Sequence, residues 1–175
     1  MSAQRIVSLA PSITEILFAL RLEPRVAGVT EVCDYPPEAR RKPKVGDYQI
    51  SPEKVVALKP DLVVAHDLLN VRVIPVLKRL RLRVLHANPN RFEKLYAFIR
   101  AIGEATGTQR EASQLTRAMQ ARVARVRGQS PKRPPKALFL IGVEPLWAAG
   151  RDTFADEMMT LAGAQIGRAS CRERV

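Results

Sequence analysis

The sequence predicts an α/β fold built on a parallel sheet, and two observations carry that reading. The first is the stretch from Glu53 to His66. Val55, Val56 and Leu58 give a short helix one apolar side, Pro60 stops it, and Leu62 to Ala65 form an unbroken apolar run. Such a run suits a strand covered on both faces, and a proline cannot continue a helix. The second is that helical and extended patterns alternate along the chain, which implies parallel strands joined by right-handed crossovers.

Taken in order, Arg5 to Ala10 reads as the first strand. Ser12 is expected to cap the next helix, with Glu15 completing a capping box and Ile13, Ile16, Leu17 and Leu20 at helical spacing. Arg25 to Thr30 is the second strand, and Asp34-Tyr35-Pro36-Pro37 is a rigid turn into a short helix. Lys44 to Tyr48 is extended, and Ser51 or Pro52 starts the helix already described. After the strand ending at His66, a helix runs from about Val71 to Leu80. Arg83 to Ala87 is the fourth strand, and Asn90 is expected to cap a helix reaching Ala105. Gly107 breaks that pattern.

From Gln109 to Arg127, Ala112, Leu115, Met119, Val123 and Val126 form one seam, about 80° wide at 3.6 residues per turn. Gly128 to Pro135 has linker composition, Lys136 to Gly142 reads as a further strand, and Asp152 or Thr153 caps a last helix bearing Phe154, Met158 and Leu161.

A formal net charge of +12 raises the possibility of a nucleic-acid partner. The basic residues are scattered, however, and aromatic residues are only 5% of the chain, too few to supply stacking platforms. Solvated surface charge is the better reading, and no nucleic acid is expected. No apolar run is long enough to span a bilayer. No basic region and apolar stretch precede Ile6 as a secretory leader would require. Among catalytic signatures, G-x-S-x-G, a Walker loop, G-x-G-x-x-G and a Cys/His cluster are all missing. His66-Asp67 lacks a nucleophile motif, so the chain is read as a non-enzyme without a metal site. Cys33 and Cys171 do not make a zinc pattern. Cys33 is read as a structural thiol.

Three segments carry a family resemblance: RIVSLAPSITEILFAL, GVTEVCDYPPEA and SPEKVVALKPDLVVA. In order and spacing they resemble the cobalamin and iron-siderophore periplasmic binding proteins, substrate-binding subunits of ABC importers, and most closely the vitamin B12 binders. The resemblance implies a two-lobed class III periplasmic-binding-protein fold, with parallel sheets and a rigid connecting helix. Residues 1–107 would form the N-terminal lobe, 108–128 the interlobe helix, and 129–165 the start of a second lobe left incomplete. Residues 166–175 resemble a translated frame of a sequencing adapter and are expected to be foreign to the fold.

The resemblance also implies a site. Pro11, Val32, Tyr48 and His66 fall at its first-lobe positions and Trp147 at a second-lobe one. Flat rings suit a flat macrocycle. Val32 and His66 depart from the larger rings of B12 binders. Relatives favour glycine where Arg21 and Arg81 end two helices, so both arginines are expected at positive φ. A mouth without Arg or Lys would favour a corrinoid over an anionic siderophore. Glu53 resembles the glutamate that docks on the membrane permease, although a helix-dipole role explains it equally well.

The function implied is capture of a cobalamin-like corrinoid between two lobes by a monomer, for delivery to the permease in the periplasm or outside the cell. The alternatives are a haem or ferric-siderophore binder of the same fold, or an intracellular corrinoid or metallocluster subunit.

Overall fold

The computed structural model describes residues 2–47, 49–129, 131 and 133–166, with the backbone alone at Ile166. It divides into two compact units, one of Met1–Asn88 with Tyr96–Thr116, the other of Pro89–Leu95 with the chain from Arg117 onward.

The first unit is built on four parallel strands: β1 (Ile6–Ser8), β2 (Val26–Gly28), β3 (Leu62–His66) and β4 (Val84–Ala87), in the order β2-β1-β3-β4. The apolar run 62–65 is buried along its whole length, as a strand covered on both faces requires. Val7, Leu9, Val63 and Ala65 alternate onto one face. There they pack with Val55 of α2 (Pro52–Ala57) and with Val73, Ile74 and Leu77 of α3 (Val73–Arg79). Ile6, Ser8, Leu62 and Val64 take the opposite pleat and are buried as well.

α1 (Pro11–Ala19) starts one residue before the expected cap. Ala10 holds the cap position without a side-chain bond, and Pro11 opens the helix. Proline suits that position because its missing N–H had no helical partner to find. Thr14, buried beneath, spends its hydroxyl on Ser8 at 2.8 Å and on Cys33 Sγ at 3.2 Å. Cys33 also meets Thr30 Oγ1 at 3.0 Å and is a buried free thiol.

Arg21 and Arg81 have φ of 59° and 60°, as expected. In each case the bonding is that of a Schellman cap. Leu22 N–H donates to Leu17 O while Arg21 N–H donates to Phe18 O, and Leu82 and Arg81 repeat the pattern on Leu77 and Lys78. Lys59 is a further left-handed residue, φ 47°.

α4 (Phe92–Thr106) ends at Gly107, φ 73°, and α5 (Gln109–Arg127) follows. A side chain at Gly103 would put its Cβ 2.7 Å from Ala112 Cβ, so glycine permits the close approach of these two helices. Along α5 only Ala112 and Thr116 are buried, and Val126 at the far end of the expected seam is exposed.

In the second unit, Asn90 does not cap α4. Its side chain accepts from Lys94 Nζ at 2.9 Å, while the N–H of Phe92 donates to Glu157 Oε2 at 2.6 Å. A carboxylate is thus placed at a helix start, where the dipole favours it. Arg91 pairs with Asp152 at 2.6 Å, and the rings of Phe92 and Phe154 stand 4.9 Å apart. Instead of the single strand expected, β6 (Leu140–Val143) and β7 (Leu146–Ala148) form a hairpin. A separate β5 (Lys136–Ala137) pairs in parallel with β8 (Gln165–Ile166). Ile166, assigned to the foreign tail, therefore pairs with Ala137, and the rest of that tail lies outside the described residues. α6 (Phe154–Leu161) is capped by Thr153, whose hydroxyl accepts from Asp156 N–H at 3.2 Å.

Candidate functional site

The sheet order reverses between β1 and β3: the chain leaves β1 for β2 on one side and later places β3 on the other. At such a switch point the loops following the two strands diverge and open a crevice at the carboxyl edge, where ligands of open α/β sheets bind. Pro11 begins the loop-to-helix turn after β1, Val32 lies on the turn after β2, and His66 ends β3. Three of the candidate residues therefore stand at the ends of three adjacent strands. Tyr48 lies outside the described residues. Trp147 sits on β7 of the second unit with 62% of its surface exposed.

Asn70 fastens the crevice. Its Oδ1 accepts from His66 N–H at 2.8 Å, and its Nδ2 donates to Leu9 O at 3.1 Å. The loops after β1 and β3 are thus tied across the switch point by one buried side chain. The turn bearing Val32 is fixed from below by Lys44, whose Nζ donates to Thr30 O, Cys33 O and Ala39 O at 3.2–3.3 Å. Lys42 is also part-buried, reaching Glu23 Oε1 at 3.1 Å. These two lysines correct the reading of the basic residues as solvated charge. Both are consumed by the fold.

His66 and Asp67 do not form a pair. The ring Nδ1 of His66 accepts from Leu68 N–H at 3.2 Å, and burial pushes its pKa below the ordinary histidine range against the opposing pull of the Asp67 charge. Both observations describe a neutral ring with its proton on Nε2. Asp67 turns instead to His86, Oδ1 to Nδ1 at 2.6 Å, and the Nε2 of His86 meets Lys78 Nζ at 2.6 Å. Among the described residues no group of three or more potential metal ligands occurs.

A cavity of about 580 Å³ opens beside the end of β3. Its walls come from Gln49, Ile50 and Pro52 at the start of α2 and from Leu68 to Val73 and Val76 after β3. Leu68, Leu69 and Val71 are 67%, 60% and 61% exposed. None of Pro11, Val32 and His66 lines it. Sequence reasoning missed this wall because it began the helix at Val71, whereas α3 begins at Val73 and residues 67–72 form a turn. The available signal was three large apolar residues crowded into the five positions after a strand end. Arg72 also lines the cavity.

Glu53 stands exposed on the first turn of α2. The Ser51 hydroxyl donates to its Oε2 at 2.7 Å while accepting from Lys54 N–H at 3.2 Å. The Ser51 bond, then the backbone N–H of Glu53 itself, hold its pKa below the usual carboxylate value. Glu53 is an oriented anion at neutral pH.

Residues 6–170 match the family described as periplasmic binding protein. An uncharacterized ABC transporter substrate-binding lipoprotein of Bacillus subtilis is 36% identical over 93% of this chain, which spans 54% of that protein. The periplasmic vitamin B12 binding protein of Vibrio cholerae superposes with a TM-score of 0.84 at 27% identity, covering 93% of this chain and 65% of that one. A periplasmic haem-binding protein of Pseudomonas aeruginosa also gives 0.84, at 28% identity over 94% of this chain and 62% of that one. The chain thus spans between about half and two thirds of the proteins it resembles.

Proposed function

The chain belongs to the periplasmic binding protein family, whose members are solute binders and not enzymes, and we propose that it captures a flat macrocycle of the corrinoid or haem kind for an ABC importer. The observation that carries this reading is the switch point between β1 and β3. Pro11, Val32 and His66 follow or end three adjacent strands there, and an apolar cavity in the size range of small-molecule sites opens after β3. Tyr48 and Trp147 are proposed to contribute rings to ligand binding. The proposed domain division is 1–107, 108–128 and 129–165, and the proposed place of action is outside the cytoplasmic membrane.

The corrinoid reading rests on the vitamin B12 relatives and on the flat rings expected at the site. The haem reading draws on the haem-binding neighbours. Glu53 is proposed to dock on a cationic pocket of the permease, since its side chain is exposed, anionic and held in one orientation. Glu53→Ala should leave ligand affinity unchanged and lower transport. The ligand class is tested by absorbance titration of the chain with cyanocobalamin and with haemin. A saturable spectral change with either supports the proposal, and its absence with both would refute it.

A further inference from the structure

We propose that Arg72 is the specificity-determining residue of the cavity after β3, selecting a flat apolar ligand that carries a carboxylate on its rim over one whose rim carries only neutral amides. The inference rests on the macrocycle reading above and sharpens it toward a porphyrin acid.

Three observations support it. The walls are apolar: Ile50, Pro52, Leu68, Leu69, Val71 and Val76 leave room for a hydrophobic body in a space of about 580 Å³. Three of those side chains stay largely exposed on a turn whose neighbours are buried, so the unliganded protein gains nothing from keeping them there. Among the lining residues Arg72 is the one charge.

Of the two amides in the lining, Gln49 carries no charge and Asn70 is committed elsewhere. Asn70 spends both side-chain atoms on Leu9 and His66, which makes it a brace for the wall. Asp67, the acid nearest Arg72 in sequence, is occupied by His86. No ion pair among the described residues includes Arg72. A guanidinium at the rim of an apolar cavity, without an acid of its own, matches a carboxylate in a planar two-bond fork that an amide cannot complete.

The test compares protoporphyrin IX with its dimethyl ester, the same ring with its acids masked, by fluorescence titration of the 175-residue chain. Cyanocobalamin serves as a third arm. The wild-type chain should bind the acid at least roughly tenfold more tightly than the ester, the scale of a charge-assisted fork at a partly exposed site. Arg72→Gln should bring the acid down to the ester's affinity, and Arg72→Lys should keep part of the preference. Equal binding of acid and ester by the wild-type chain, or an acid preference that survives Arg72→Gln, would overturn the assignment. Binding of cyanocobalamin without either porphyrin would leave the macrocycle reading standing and remove the role of Arg72. Failure of all three ligands to bind would remove both.

Discussion

The two units use similar apolar residues to opposite effect. In the first, Ile6, Val7, Leu62, Val63, Val64 and Ile99 are fully buried around a four-stranded sheet. In the second, Leu138, Phe139, Leu140, Ile141, Val143, Leu146 and Trp147 are all exposed, and its strands make only two-stranded pairs. Hydrophobic residues stabilise only where a second layer covers them. Two-stranded pairs with no layer over their apolar residues bury little surface. The apolar character of residues 138–147 therefore says little about what holds that segment in place.

The sharpest way to break this contrast is a matched pair of truncations. Ile99→Ala, at a position fully buried in the first unit, should cost about 3 kcal/mol in chemical denaturation, as large-to-small core changes do. Ile141→Ala, at a residue 66% exposed, should cost less than about 0.5 kcal/mol. Similar losses at both sites would show that the second unit has a core of its own.

Next in size is Lys44. Its ammonium satisfies three part-buried carbonyls, and Lys44→Met should destabilise the first unit by about 2 kcal/mol. A change within error would return Lys44 to the class of surface charges.

Arg21→Gly and Arg81→Gly should each raise stability, by up to about 1 kcal/mol, because glycine adopts positive φ without the Cβ clash. A loss of stability in both would mean that the arginine side chains contribute more than the left-handed backbone costs.

These sites also show what the sequence made legible. The sheet was readable because the run 62–65 has no polar residue and a proline fixes where it starts. Arg21 and Arg81 were readable because both stand where relatives place glycine, and a Schellman cap admits little else. The cap of α1 was misread because Ser12 looked like a cap while Pro11 already satisfied the helix start. Lys44 and Arg72 look alike in sequence. Only the tertiary fold sends one beneath a turn and leaves the other at a cavity rim. The left-handed Lys59 was equally hidden, although Pro60 after it disfavours the right-handed helical alternative.

A smaller effect concerns pH. His66 has a folded-state pKa lowered mainly by burial, so the unfolded chain binds a proton more readily. Its contribution to stability is present above the unfolded value of roughly 6.5 and is lost as pH falls from there toward the folded value. Denaturation midpoints of the wild-type chain should therefore decline over that window more than those of His66→Gln. Parallel pH profiles would contradict the burial of a neutral ring.

The central claim is that ligand binds at the carboxyl edge of the first unit's sheet. Amide hydrogen exchange, followed with and without saturating haemin or cyanocobalamin, tests it most directly. Ligand should slow exchange at 49–54 and 66–73, which surround the cavity and the switch point, and leave unchanged the opposite edge, where Asp61 accepts from the N–H groups of Gln4 and Arg5. Protection confined to that opposite edge, or none at either edge under saturation, would contradict the account.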